Sequence, residues 1–346
     1  MNEPLISIII PTYNRAHLIS ETLDSVLMQT YTDWECIIVD DGSTDSTEVI
    51  VNHYLSIDSR FQYYKRPINY KSGANGARNY GAKLSNSRFL IFLDSDDLLI
   101  DNALKNRIKY IINSKTHFDL LISNTAIFKS KIGDSIALWN IYNKSDTNLD
   151  LLRKFLNVDM PWHTNGVTWS KEFFNKIGGW NEELKAWQDW ELHTRALLNS
   201  PIVIGGEDCP DNFYKIQGSN SIKDNDRTIK YYKSVSSAIC IILKSLKNSS
   251  SIKNEVIHES NKLAIRFLIK MPITHRFYLE SIMNFGKINT LCDFRKFEIV
   301  KFYFLEFTAR STKLKLFLIK KLYDRYQEYI NVPRTFMKLT IHDIKK

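Results

Sequence analysis

Four cysteines in 346 residues, Cys36, Cys209, Cys240 and Cys292, stand far apart and share no metal-ligand spacing. That excludes a disulfide framework and a zinc site, and it fits a reducing cytoplasm. No apolar run approaches the roughly 18–20 residues that a membrane span needs. The N-terminus has no basic stretch followed by an apolar one, so no secretory leader is expected. Internal repeats, low-complexity tracts and nucleic-acid-binding motifs are all missing, and nucleic acid is not an expected partner. The first strand-to-helix turn reads Pro-Thr-Tyr-Asn-Arg. It lacks the G-x-G-x-x-G of a dinucleotide fold and the Gly- and Lys-rich phosphate loop that a nucleotidyltransferase would want.

What is present is ordinary globular composition, 44% hydrophobic and 25% charged, enough chain for one large domain with an appendage or for two domains. The net charge of +9 is unevenly spread: from Ile222 on there are 25 Lys and Arg against 11 Asp and Glu, leaving 22 basic and 27 acidic residues before it. A basic tail on an acidic half suits an anionic surface, and the cytoplasmic membrane leaflet is the preferred partner. Lys301–Tyr329 mixes aromatic and aliphatic residues with lysines, as an interfacial segment does. A helical packing domain with a solvated basic face is the competing reading of this tail.

The chain is organised around Phe89-Leu90-Ile91-Phe92-Leu93-Asp94-Ser95-Asp96-Asp97. Five apolar residues read as a strand buried on both faces, with carboxylates at its C-terminal end, where open α/β sheets bind ligands. Asp94 and Asp96 alternate, so extended backbone points both to one side. Two hard oxygen donors suit Mg2+ or Mn2+. Taken alone, such a pair is most often a polar loop after a strand, with Asp97 capping the next helix. Around it the spacing predicts strands over Leu5–Ile10, Trp34–Val39, Phe61–Lys65 and Phe118–Phe128, with Pro11 to Asn14 breaking the first. Helices are predicted over about Ala16–Gln29, Ser46–Leu55, the small-residue run from Gly73 to Ala82, Asp101–Asn113 and Trp187–Leu198, with Ser43 or Asp45 capping the second. The alternation marks a doubly wound, mostly parallel sheet. From about Arg227 the sequence reads as helical.

Taken together, these residues resemble glycosyltransferase family 2, inverting nucleotide-sugar-dependent enzymes of the GT-A fold. The resemblance covers about Leu5 to Tyr214 and rests on Ser7–Arg15, Val39–Asp45, Ala77–Gly81, Leu93–Asp97, Gly178–Trp180 and Trp187–Leu192. It implies a GT-A domain over residues 1–221 and a helical, basic region over 222–346. It implies a cytoplasmic hexosyl- or N-acetylhexosaminyl-transferase, peripheral on the inner face of the membrane, in cell-surface polysaccharide synthesis such as capsule or lipopolysaccharide. The donor would be a UDP-linked sugar and the acceptor a saccharide or lipid-linked saccharide. A non-catalytic membrane adaptor keeping the same fold is the alternative; intact Asp94, Asp96 and Asp189 speak against it.

The resemblance also implies roles. Pro11, Tyr13 and Asn14 match the base-binding turn, with Tyr13 against the base and Asn14 ordering the loop. Asp41 is the counterpart of the carboxylate that accepts the imide N–H of uracil, with Asp40 second; whichever stays off the base is expected to cap the next helix. Arg78 contacts the diphosphate or fixes the carboxylate loop, against the equal alternative of a purely structural ion pair. In Asp94-Ser95-Asp96, Asp96 is the direct metal ligand and Asp94 serves the ribose or stands behind the ligand. Asp189, opening a helix whose N-terminus favours its ionised form, sits where the family places its general base. Gln188 stands where that pair usually has Glu, and Glu191 is the reserve base. Trp187 and Trp190 are expected either as an acceptor platform or as core. His163 is a candidate contact to diphosphate or acceptor, against a structural role.

Overall fold

The computed structural model describes residues 6–114, 117–135, 137–216 and 229–270. Seven strands form the main sheet: β1 (Ile6–Thr12), β2 (Trp34–Asp40), β3 (Phe61–Lys65), β4 (Phe89–Phe92), β6 (Leu120–Ile122), β8 (Val167–Ser170) and β9 (Val203–Gly205), in the order β3-β2-β1-β4-β8-β6-β9. The first four are mutually parallel, β8 runs against both neighbours, and β6–β9 is parallel again. A small second sheet, β5 (Leu98–Leu99), β10 (Asn212–Lys215) and β7 (Thr125–Phe128), stands beside it. The apolar runs of β1, β2 and β4 are buried along their whole length, as strands covered on both faces require.

The helices are α1 (Ile19–Leu27), α2 (Thr47–Ile57), α3 (Ala74–Leu84), α4 (Ala103–Asn113), α5 (Asn148–Leu156), α6 (Lys171–Lys176) and α7 (Gln188–Leu198), followed by α8 (Ile229–Lys247), α9 (Ser250–Glu255) and α10 (Ile257–Ala264). One apolar core lies on the face that includes Ile9, Phe92 and Trp169, and it continues into Ile239, Ile242 and Leu243 of α8. The other face holds Ile8, Ile10, Leu23 and Leu104. The small-residue helix α3 is close-packed: a Cβ on Gly81 would fall 2.6 Å from Ile9 Cγ2. No helix of the described residues is long and apolar enough to cross a membrane. The expected boundary at residue 221 and the segment Lys301–Tyr329 lie outside the described residues.

Three sequence expectations are corrected. β1 does not break at Pro11; it pairs with β2 as far as Thr12↔Asp40. The carbonyl of Ile9 faces β4, where it accepts Leu93 N at 3.0 Å. Pro11, two residues on, faces the same side after β4 pairing has ended, so its missing N–H costs nothing. α1 starts at Ile19 instead of Ala16, because the N–H groups of Arg15 and Ala16 go to Thr47 Oγ1 (2.9 Å) and an Asp45 carboxylate oxygen (3.1 Å). Phe118–Phe128 is two strands in two sheets, separated where Ser123 N turns to Gly166 O at 2.7 Å.

One ion pair ties the layers together. Arg107 of α4 makes a two-bond fork to Asp211, just before β10, at 2.8 and 2.8 Å, and Nη2 also reaches Asn165 O at 2.9 Å. Both side chains are buried, 1% and 3% exposed. Removing one partner of such a pair strands the other charge, at a cost of about 3–5 kcal/mol. Asp211→Ala should therefore lower the urea-unfolding free energy by about that much; a loss below about 1 kcal/mol, the range of a surface pair, would contradict this placement.

Candidate active site

The C-terminal ends of β1, β2 and β4, the N-terminal turns of α3 and α7, and the end of β10 surround one cleft of about 450 Å3. Pro11, Tyr13 and Arg15 line it from β1 and its turn, and Asp41 from the end of β2. Asp94, Ser95 and Asp96 line it after β4, Ala77 and Arg78 from α3, Gln188 from α7, and Tyr214 and Lys215 from β10. Parallel strands bring this about: their C-terminal ends lie at one edge, and the loops that follow converge there.

Asp40 and Asp41 are adjacent and point apart. Asp40 is buried, 2% exposed. Its Oδ1 accepts Gly42 N (3.0 Å), Ser43 N (2.7 Å) and Ser43 Oγ (2.7 Å), and its Oδ2 accepts the Tyr63 hydroxyl at 2.6 Å. It builds the turn after β2 and is not on the cleft. Asp41 is on the cleft, paired with Arg66 and accepting Gly73 N at 2.7 Å, the residue before α3. Neither caps α2: Asp45 accepts Thr47 N at 3.0 Å there. Asn14, in left-handed backbone at φ 52°, ties the two turns by accepting Thr44 N at 2.8 Å and giving its own N–H to Ser43 Oγ at 2.9 Å. Tyr13 is 55% exposed at the rim.

Asp94 Oδ1 accepts a hydrogen bond from Arg78 Nη2 at 2.6 Å. Burial raises its pKa, but the Arg78 charge and hydrogen bond, with His163 and Arg15, outweigh it and hold the carboxyl below the usual range. Arg78 Nε has no protein partner. Asp97 faces inward, not toward a helix start. It accepts Asn165 Nδ2 at 2.6 Å and Lys215 N at 2.8 Å, so it joins the carboxylate loop to β10. Burial, then Asp96 and Asp94, push it well above the usual carboxylate range. Two half-buried carboxylates with oxygen donors fit a hard divalent ion. Among the described residues no group of three or more His, Cys, Asp or Glu could enclose a metal ion, so an ion here would complete its shell with substrate oxygens or water.

Next to Gln188 of the cleft wall, Asp189 is the second residue of α7 and is half-buried, its Oδ1 accepting Trp190 N at 2.8 Å. His163 feels the charges of both Asp94 and Asp189; burial nonetheless keeps its pKa below the ordinary value. Its Nδ1 accepts Asn165 N at 3.4 Å, which leaves the ring proton for Nε2. Tyr214 feels Asp97, Asp96, Asp94 and Asp189 together and, with burial as the largest cause, is pushed up to about 12. Asp189 and the carboxylates after β4 thus lie near the same two rings. Trp139 packs against His163 and Tyr214, ring centroids 4.9 and 5.4 Å away.

The tryptophans of α7 are on its other side. Trp190 is 1% exposed and donates Nε1 to Phe155 O at 2.7 Å. Trp187 donates Nε1 to the Tyr231 hydroxyl at 3.1 Å and packs on Phe267 at 4.5 Å. Both belong to the packing of α7 on α5 and the later helices, not to an acceptor platform. Glu191 is fully buried and bound to Arg195 at 2.7 Å, so it is no free base. Sequence reasoning passed over Arg66, Lys215 and Tyr214. The one signal for Tyr214 was an aromatic alternating with Asn212 in a short strand.

The same mostly parallel sheet with flanking helices occurs in S. aureus TarS 1–349, whose crystal structure superposes with a TM-score of 0.63 over 96% of each chain at 20% identity. Its complex with UDP-GlcNAc gives 0.60 over 75% of this chain and 72% of that one, at 21% identity. The architecture is the GT-A fold. Residues 7–165 match the family Glycosyl transferase family 2. Two Escherichia coli relatives, WfgD and WfaP, are both named UDP-Glc:alpha-D-GlcNAc-diphosphoundecaprenol beta-1,3-glucosyltransferase. WfgD is 39% identical over 149 residues, 42% of this chain and 56% of that protein. WfaP is 43% identical over 154 residues, 44% and 57%. The matched stretch thus spans little more than half the length of these relatives.

His193, one face behind His163, is buried against Trp162 and Trp169, and burial lowers its pKa to about 3. A histidine kept neutral in the fold but protonated when unfolded lends stability that is full above its unfolded pKa of about 6.5. That stability is lost as pH falls from there toward 3, at up to about 1.4 kcal/mol per pH unit. His193→Gln should flatten the loss of urea stability between pH 6.5 and 4.5; an unchanged slope would show that His193 does not titrate on unfolding.

Proposed function

We propose that this chain is an inverting glycosyltransferase that moves a hexosyl group from a UDP-sugar to a hydroxyl of a saccharide or lipid-linked saccharide in cell-surface polysaccharide synthesis. The observation that carries the reading is one cleft lined by Asp41, Asp94, Asp96 and Gln188, with Asp189 next along α7 and its charge felt, with that of Asp94, at both His163 and Tyr214. The names of the two Escherichia coli relatives support a UDP donor and a diphospholipid-linked acceptor.

In this reading Asp41 accepts the imide N–H of uracil, beside Pro11 and Tyr13. Arg78 and Arg15 offset the negative charge that gathers on the departing diphosphate. Asp189 accepts the proton of the acceptor hydroxyl as that oxygen bonds to the anomeric carbon. The bond from that carbon to the phosphate oxygen breaks on the opposite face, and UDP leaves with the electron pair. Asp96, with Asp94 behind it, would hold Mg2+ or Mn2+, which supplies Lewis-acid stabilisation of the leaving diphosphate when bound. In this reading Gln188, on the cleft wall, contacts the acceptor, with His163 behind it as a candidate contact to acceptor or diphosphate.

Asp189→Asn should lower UDP release from the productive UDP-sugar by roughly 10²–10⁴-fold, the usual contribution of a general base. UDP binding, measured by calorimetry, should stay within about threefold, since in this reading Asp189 acts on the acceptor and not on the nucleotide. Loss of binding together with turnover, or no loss of turnover, would overturn the assignment. Chelation by EDTA should remove turnover and Mn2+ should restore it; turnover indifferent to both would leave the carboxylate pair without its metal role.

The basic tail supports a second part of the proposal, peripheral attachment to an anionic membrane. The full chain should sediment with phosphatidylglycerol vesicles at low salt and be released at high salt. Absence from the vesicle fraction at low salt would remove this part alone.

A further inference from the structure

We infer that one face of α3, made by Asn75, Arg78 and Asn79, is a spacer that sets the separation between the carboxylates after β4 and the start of α7. The inference rests on the reading of Asp189 as base, and it assigns positioning roles to Asn75 and Asn79, which that reading does not use, and a second role to Arg78.

Asn79 pairs with the backbone of a single residue in both directions. Its Nδ2 donates to Trp180 O at 2.8 Å and its Oδ1 accepts Trp180 N at 2.9 Å. The same Nδ2 also donates to Glu182 Oε1 at 2.8 Å. One helical turn earlier, Asn75 Nδ2 donates to Asn181 O at 2.7 Å and Leu184 O at 3.2 Å. Between them Arg78 stacks on the Trp180 ring, 4.5 Å from its centroid, and turns its guanidinium to Asp94 at 2.6 Å. A stretch of little more than one turn therefore grips the backbone of 180–184 on one side and the β4 carboxylate loop on the other. From Leu184 the chain enters α7 three residues later, through Trp187 at φ 59°.

The opposite end is braced from α7 itself. Arg195 donates to Gly179 O at 2.7 Å and to Ile177 O. Gly179, at φ 65°, is what allows the approach: a Cβ there would lie 2.8 Å from Asn79 Oδ1. These are polar side chains spent on backbone groups, with Asn75 and Arg78 3% and 5% exposed. Apolar packing would bury the same helix, but it tolerates sliding. Directional hydrogen bonds fix the register. Transfer needs that register, because reacting atoms must meet at about 3–3.5 Å and a displacement of about 1 Å costs on the order of 100-fold in rate.

Asn79 does not line the cleft, which makes the inference separable from nucleotide binding. Glu182 keeps its other bond, from Lys71 N at 2.7 Å, when Asn79 is shortened. The test uses full-length Asn79→Ala, Asn79→Asp and Gly179→Ala, and the double variant of Asn79→Ala with Gly179→Ala. UDP binding and kcat for UDP release are measured with UDP-glucose, UDP-galactose and UDP-N-acetylglucosamine in parallel. Each single variant should lose roughly 30- to 100-fold in kcat with UDP affinity within about threefold, as a misplaced base requires. The double variant should lose no more than the worse single one, because both act through the same contact. The inference is overturned if kcat is retained, if kcat and UDP affinity fall together, or if the two losses multiply. Asn79→Ser replaces Asn79→Ala if the alanine variant does not fold. Wild-type turnover that ignores Asp189→Asn would instead defeat the functional reading; turnover lost in Asp189→Asn but kept in Asn79→Ala defeats only the spacer.

Discussion

The Arg78–Asp94 pair is the contact on which the rest of the site depends. Arg78 comes from a helix packed flush on β1 and β2, and Asp94 from the end of the strand next to β1. Their 2.6 Å bond fixes where the carboxylate pair sits relative to the start of α3. The same guanidinium lies on Trp180, whose ring meets Phe92 of β4 edge-on at 5.4 Å. One buried cation therefore ties the end of the central strand, the helix beside it and the turn that leads to Asp189. With Asp94 ionised against Arg78, the cleft is acidic on the β4 side and basic at its floor, which is the charge pattern that accepts a metal–diphosphate.

Polar groups in the surrounding shell are used to aim this centre. Asp97 spends both oxygens on Asn165 and Lys215 N. The Asn165 carbonyl accepts from Arg107, and Arg107 forks onto Asp211 at the head of β10. Tyr214 follows three residues later, so the small sheet that carries it is registered to the carboxylate loop through buried hydrogen bonds. Such a network is costly if any member is lost, and it gives one arrangement in return. Asp40 does the same for the turn after β2, leaving Asp41 to face the ligand space.

Much of this was legible in the residue order. The apolar runs of β1, β2 and β4 and the carboxylates that end β2 and β4 place the parallel half of the sheet and its working edge. Asp189 at a helix start was readable for the same reason: a charge opening an amphipathic segment marks a terminus. The rest depends on facts a local pattern does not carry. Asp40 and Asp41 differ only in which side of the strand they leave, and alternation assigns sides only once one face is known. Trp187 and Trp190 read equally as core or platform because tryptophan serves both; α8 and α5 decide it. The strands β6, β8 and β9 are three or four residues long and antiparallel in part, too short for a period to show. The grip of Asn75 and Asn79 on residues 180–184 spans about a hundred positions and has no local signature.

The central claim is that the two sets of carboxylates work on one bound sugar nucleotide. A crystal structure of the full chain with Mn2+ and an unreactive UDP-hexose phosphonate tests it most directly. The account predicts uracil against Asp41, the metal and diphosphate at Asp96, and the anomeric carbon between Asp96 and Asp189, with its free face toward the Asp189 carboxylate. A nucleotide seated elsewhere, or a sugar whose open face is turned away from Asp189, would contradict it.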